Sequence, residues 1–260
     1  MMTDSDLQRR ALQVFEEAIS LSGQARRDFV ASSCGGDTQF LNEVESLLEH
    51  HREEHALISN DGHFELLEEI ARGGMSIIYR AHDGKLKRDV ALKVLEESRI
   101  NPDMLRRFAF EAHLSATMEH PGIPSAYRLG TLIDGRPYFA MKLVKGQTMR
   151  AVLDEGTATQ RQLLDMLAKV ADTVACAHER NIVHNDLKPE NVMIGKFKEV
   201  QVMDWGLAED VESDDDTPRD VLGTPAYMPP EFSRNTSGDV FALGSMLCEI
   251  LTGAPAYDCQ

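Results

Sequence analysis

Cysteine is scarce in this chain of 260 residues: there are four, at positions 34, 176, 248 and 259, and no Cys-x-x-Cys pair. That spacing offers neither a zinc site nor a disulfide framework, so buried or incidental thiols in a reducing compartment are expected. Positive charge is also in short supply. Lys and Arg number 27 against 43 Asp and Glu, a formal net charge of -16. A surface of that sign repels nucleic-acid backbones and anionic membranes, and neither is expected as a partner. Long apolar runs are missing too. The most apolar stretch, Val240 to Leu251, is interrupted by Glu249, and Met1 to Arg10 is not followed by the apolar core of a signal peptide. No membrane segment is expected, and a cytoplasmic location is the default.

What is present is ordinary globular composition, 42% hydrophobic and 27% charged, which excludes a disordered or fibrous chain. Residues 5 to 52 read as helices. Leu7, Ala11, Val14, Phe15 and Ala18 share one face, as do Phe40, Leu41, Val44, Leu47 and Leu48, with a break at Cys34-Gly35-Gly36-Asp37. This part is expected to be a helical extension spanning 1–60 without catalytic residues, and His50, His51 and His55 to be a solvated helix end. From Phe64 short strands follow, at Phe64 to Ile70, Ile77 to His82 and Asp89 to Val94. A helix over Met104 to Met118 and two strands joined by Asp134-Gly135 come next. Beyond Gly146 the pattern turns mainly helical. An α+β chain of two lobes is predicted, with a strand-rich lobe at 64–143, a hinge at 143–146 and a helical lobe at 147–260.

Three segments carry chemistry. Ala71-Arg72-Gly73-Gly74-Met75-Ser76 lies between two strands, where glycines let backbone N–H groups approach phosphate oxygens. The next strand holds Lys93, costly in an apolar strand unless paired, and Glu111 on the following helix is the matching anion. His184-Asn185-Asp186-Leu187-Lys188-Pro189-Glu190-Asn191 gathers an aspartate, a lysine and an asparagine in one loop, and Asp204-Trp205-Gly206 follows 13 residues after Asn191. Phosphoryl transfer requires this set: a carboxylate for the acceptor hydroxyl (Asp186), a cation for the transferred group (Lys188), and oxygen ligands for Mg²⁺ (Asn191 and Asp204).

On these residues the chain resembles the protein-kinase superfamily, most closely the bacterial eukaryotic-like serine/threonine kinases, over Phe64 to Tyr257. The resemblance implies a bilobal kinase domain at 64–260, use of ATP and Mg²⁺, and protein substrates with serine or threonine acceptors. It implies a nucleotide site formed by Ala71, Gly73, Gly74, Ser76, Lys93, the Met141 side chain and the backbone of Lys142 and Val144, with Ile78, Ala91 and Met193 sandwiching the adenine. Gly223 to Tyr227 resembles the segment that receives the substrate residue. Asp239 resembles a helix aspartate that braces the catalytic loop, although read by itself it is equally a plain N-cap.

Several positions depart from the family pattern. Ala71 and Ser76 replace glycines, and Trp205 replaces a phenylalanine. Asn185 replaces an arginine that grips a phosphate on the segment after Asp204, so switching by phosphorylation there is not expected. Glu209, Asp210, Glu212, Asp214, Asp215 and Asp216 supply fixed negative charge instead, and Ser213 and Thr217 are candidate phosphorylation sites. The family continues through further helices after the one that begins near Asp239. The helical lobe is thus expected to be incomplete, to leave that helix partly exposed and Glu231 an unpaired, partly buried charge, and to be covered by further polypeptide or a partner. The alternative function is a non-catalytic, pseudokinase-like scaffold. A small-molecule kinase is a third reading, disfavoured by Lys188 to Asn191 and Gly223 to Glu231.

Overall fold

A computed structural model describes residues 4–18, 23–55, 63–211, 223–231 and 233–257. The side chains of His50, His51 and His55 lie outside the described residues, as do Glu212, Ser213, Asp214, Asp215, Asp216 and Thr217.

Three helices come first: α1 (Asp4–Ala18), α2 (Gly23–Cys34) and α3 (Thr38–His55). Their apolar faces meet in a core of their own, with Ala11, Ala18, Val30, Cys34, Phe40 and Val44 buried. Gly35 and Gly36 both adopt positive φ at the break between α2 and α3, a conformation that a Cβ disfavours. Asp37 then accepts from the N–H groups of Gln39 and Phe40 and starts α3.

The first lobe is a five-stranded antiparallel sheet in the order β1-β2-β3-β5-β4, formed by β1 (Phe64–Arg72), β2 (Ser76–Asp83), β3 (Arg88–Leu95), β4 (Ala126–Thr131) and β5 (Pro137–Met141). The Asp134-Gly135 turn expected from the sequence joins β4 and β5, with Gly135 at φ +89° and its N–H bonded to Leu132 O. Helix α4 (Pro102–Thr117) packs on this sheet. Asn101 caps it, accepting from Met104 N–H at 2.9 Å, and Pro102 occupies the first turn, where a missing N–H costs nothing. Phe108 and Ala112 on its inner face meet Ala91, Leu95, Phe139 and Met141.

The second lobe contains more strand than expected. Gly146 opens β6 (Gly146–Thr148) instead of closing a hinge, and with β8 (Val192–Gly195) and β9 (Val200–Val202) it makes a three-stranded sheet. Helices α5 (Met149–Glu155), α6 (Gln160–His178) and α7 (Thr236–Thr252) and the short pair β7 (Ile182–Val183) and β10 (Glu209–Asp210) complete the described lobe. Thr159 and Gln162 form a reciprocal capping box that starts α6. Helix α7 is two-sided. Ala242, Met246 and Ile250 are buried in the lobe core, while Val240, Leu247 and Leu251 are exposed, so the expected exposure holds for the outer face alone. Glu231 is exposed and keeps its hydration, contrary to the expectation of a partly buried charge.

No helix among the described residues is long and apolar enough to cross a membrane.

Candidate active site

The cleft between the lobes is built from two loops whose backbones turn left-handed at a polar residue. Asn185 has φ +65° and Asp204 φ +58°. Asn and Asp tolerate this region better than other residues with a Cβ, which places them at the bends that present the neighbouring side chains.

Lys93 points inward from β3. Its Nζ donates to Glu111 Oε1 and Oε2 at 2.6 and 2.8 Å and to Asp204 Oδ1 at 2.8 Å. Burial opposes charge on Lys93, but Glu111 and Asp204 together outweigh it and raise its pKa. Lys93 in turn holds Asp204 below the usual carboxylate range. Burial pushes Glu111 up against the pull of Lys93, and an ammonium bonded to both of its oxygens keeps the pair ionised. Gly206 leaves room for this arrangement, since a Cβ there would lie 3.3 Å from Glu111 Oε2.

A cavity of about 70 Å³ adjoins Lys93, lined also by Gly73, Gly74, Ser76, Glu111 and Asp204. The two glycine replacements are absorbed by strand structure. Ala71 pairs with Ile78 in the β1-β2 ladder, and Ser76 starts β2, its carbonyl accepting from Gly73 N–H at 2.9 Å. Gly73 and Gly74 are left as the turn itself. Arg72 bridges Glu69 and Glu96 and ties the ends of β1 and β3 together beside this turn. Ile78, Ala91 and Met141 fall in one apolar cluster with Leu143 and Met203, whereas Met193 sits on β8 outside it. Lys142 N–H is bonded to Ser125 O, so the carbonyl is what its backbone offers a ligand.

The second loop centres on Asp186. Its Oδ2 accepts from Lys188 Nζ at 2.7 Å and from Asn191 Nδ2 at 3.1 Å, and its Oδ1 accepts from the Thr224 hydroxyl at 2.8 Å. Lys188 Nζ also donates to Thr224 Oγ1 at 2.7 Å. A carboxylate and an ammonium thus hold one aliphatic hydroxyl between them. Asn191 also donates its NH₂ to Asp186 O, which leaves its carboxamide oxygen available, and Asn191 O accepts from Met203 N–H, setting Asp204 beside it. Glu111, Lys93 and Asp204 thus form one bonded set and Asp186, Lys188 and Asn191 another, linked through the Met203–Asn191 backbone bond.

Asn185 does what an arginine there would not. Its Nδ2 donates to Leu207 O at 3.0 Å, tethering the chain just after Trp205-Gly206. Glu209, from the acidic run, pairs with Arg234 at 3.0 Å, an arginine on a different element from the missing one. Trp205 is buried, its Nε1 bonded to Val202 O and its ring against His184.

Asp239 resolves one open alternative. Asn235 caps α7, and Asp239, buried in the helix's first turn, accepts from His184 N–H and Asn185 N–H at 2.8 and 3.0 Å. His178 at the end of α6, which no motif marks, adds its Nε2 at 2.8 Å. His184 is held in turn by Met203 O on Nε2 and Asp186 N–H on Nδ1, which requires the Nε2-protonated tautomer. Asp239→Asn keeps the volume but points an NH₂ at these donors. It is expected to lower unfolding free energy in urea by about 2 kcal/mol. An unchanged midpoint would show that the three bonds contribute nothing net.

A family model described as protein kinase domain matches residues 64–260. The serine/threonine-protein kinase PknB of Mycobacterium tuberculosis (strain ATCC 25618 / H37Rv) is 35% identical over 206 residues, covering 75% of this chain and 33% of that protein. PknB of Mycolicibacterium smegmatis is 36% identical over the same length, and PrkC of Bacillus subtilis 34% over 204 residues. The chain spans about a third of the length of these relatives. With the match running from the first strand of the sheet through α7, the chain belongs to the protein kinase superfamily, among the bacterial eukaryotic-like serine/threonine kinases.

Proposed function

We propose that this chain transfers the terminal phosphoryl group of Mg²⁺-bound ATP to serine or threonine hydroxyls of protein substrates. The observation that carries the reading is the Thr224 hydroxyl, bonded at once to Asp186 and Lys188. Two groups that hold an aliphatic hydroxyl in this way can also hold and deprotonate that of a substrate.

The residues present fit the nucleotide and its metal. The cavity beside Lys93 is lined by the exposed glycine turn on one side and by Asp204 on the other. Asp204 keeps a half-exposed carboxylate, and Asn191 an available oxygen. Among the described residues no group of three or more His, Cys, Asp or Glu side chains could hold a metal ion. A divalent cation held by Asp204 and Asn191 would therefore complete its shell with phosphate and water oxygens. Bound Mg²⁺-ATP supplies the phosphoryl group and part of the charge compensation for its transfer.

The chain's own groups do the rest in this reading. Lys93, oriented by Glu111, holds phosphate oxygens, and the Gly73-Gly74 turn brings backbone N–H groups to them. Ile78, Ala91, Met141 and Met193 flank the adenine, which bonds the backbone of Lys142 and Val144. Asp186 takes the proton of the acceptor hydroxyl, and Lys188 neutralises charge on the transferred group. The residues fall into a helical extension, 1–60, and a kinase domain, 64–260.

The test is transfer of label from γ-labelled ATP to a generic basic protein. Label on serine or threonine that disappears when EDTA removes Mg²⁺ is the expected result. Nucleotide binding by the folded chain without any transfer would overturn the reading in favour of a scaffold role.

A further inference from the structure

Outside the groups assigned above, Arg150 joins four polar partners among the described residues, three from other places in the helical lobe and one from its own helix. Its Nε donates to Glu190 Oε1 at 2.9 Å, its Nη1 to Glu249 Oε1 at 2.7 Å and its Nη2 to Tyr227 OH at 2.7 Å. Tyr227 OH then donates to Glu249 Oε2 at 2.7 Å, closing a ring of three side chains, and Asp154 lies 3.4 Å from Nη1 on the outer side. Burial opposes charge on Arg150, but the bonds to Glu249 and Glu190 outweigh it and raise its pKa. Burial and Glu249 push the Tyr227 phenol up. Both groups therefore stay protonated across the working range, and the ring persists.

What the fork joins gives it meaning. Glu190 lies between Lys188 and Asn191, in the short 3₁₀ turn Pro189–Asn191, and Tyr227 ends the turn Pro225–Tyr227 that begins immediately after Thr224. Glu249 is the buried base of the ring on α7. The backbone of Arg150 is fixed by its neighbours, Met149 being fully buried and Thr148 capping α5 through Ala151 N–H. None of its partners touches Lys93, Glu111 or Asp204.

We propose that Arg150 is a positioning residue for the acceptor side of the site, holding the Thr224–Tyr227 segment in register with the Lys188–Asn191 turn. The proposal rests on the kinase reading above. A lysine cannot replace it, because a point charge reaches one or two of these three acceptors where the planar fork reaches all of them. Ser245, which donates to Ala226 O at 3.0 Å, is a second tether, so loss of Arg150 loosens the segment without releasing it.

The experiment compares the parent with Arg150→Met, Arg150→Lys and Glu190→Gln by amide hydrogen exchange, ADP titration and steady-state transfer to a basic protein. Arg150→Met is expected to speed exchange across 223–231 by about tenfold or more with the α6 core unaffected. Its kcat/KM for the protein substrate falls by at least about tenfold, while ADP affinity stays within about twofold. Arg150→Lys recovers only part of this, and Glu190→Gln gives a smaller change of the same pattern. Unchanged exchange across 223–231, or ADP affinity lost in step with transfer, overturns the proposal. If Arg150→Met does not fold, Glu190→Gln decides by the same criteria. A parent that transfers no phosphate would remove the kinase reading, and the exchange comparison would still decide whether Arg150 holds the segment.

Discussion

Asp186→Ala is expected to lower kcat for phosphoryl transfer by roughly 10²–10⁴-fold, the range for losing a positioned general base, with ADP affinity changed by no more than about twofold. The split follows from the contacts. Asp186 bonds the Thr224 hydroxyl, Lys188 and Asn191, and none of the residues around the cavity beside Lys93. In the alanine variant Asn191 keeps its bond to Asp186 O, so the proposed metal ligand stays in place, whereas Lys188 keeps only Thr224 among its partners here. Asp186→Asn is the informative companion. It retains an acceptor for the hydroxyl but has no basicity, so hydroxyl placement survives and proton removal does not. Initial rates with both variants at saturating nucleotide are the measurement. Transfer within tenfold of the parent in Asp186→Ala would remove Asp186 from the chemistry and leave its bonds as loop structure.

The six residues proposed to carry the chemistry could be singled out in the sequence because each lies in a short loop or on a regular element. At Lys188 to Asn191, a few residues of loop leave little freedom, and neighbours in sequence are neighbours in the site. Lys93 and Glu111 were readable by a different route: a charge inside an apolar strand demands a partner, and the next helix supplies one. Legibility ended where partners were remote. Asp239 reaches backbone N–H groups more than 50 positions earlier, and nothing local separates that role from capping; the true cap, Asn235, is four residues away. No motif marks His178 or Arg150; their partners come from the α6–α7 packing and from the Arg150–Glu249 bond between α5 and α7.

At Asn185 the pattern named what is lost and not what replaces it. Compared with an arginine it reads as a loss. In the structure it is a residue suited to left-handed backbone whose amide ties down Leu207. Together with the Glu209–Arg234 pair and the β7-β10 bridge, this tether fixes the start of the segment after Asp204 without a phosphate. Fixed contacts of this kind fit a site whose loop geometry does not wait on modification.

Lys93→Met is expected to abolish measurable ADP binding and transfer together, and to destabilise the fold as well. Two carboxylates depend on this ammonium. Glu111 is buried, and removing one partner of a buried pair costs roughly 3–5 kcal/mol because the other charge is left uncompensated. Asp204 is half exposed and recovers hydration, so Glu111 should dominate the loss. The sign of the pH dependence follows. In the parent, Asp204 is held low by Lys93, so its contribution is present at neutral pH and is lost as pH falls through its folded pKa. In the variant, Glu111 has burial pushing its pKa up and no cation opposing it, so its penalty is largest at high pH and relieved on protonation. The Glu111 effect narrows the gap between parent and variant as pH falls from about 8 toward about 5, whereas the Asp204 contribution is lost only below that range. Urea unfolding at the two ends of that range measures it. The double variant Lys93→Met/Glu111→Gln separates fold from function, since a neutral amide needs no ammonium. It should regain most of the stability at pH 8 while still failing to bind ADP. Recovery of nucleotide binding in the double variant would mean that Lys93 serves only to neutralise Glu111, and that the phosphates are held elsewhere.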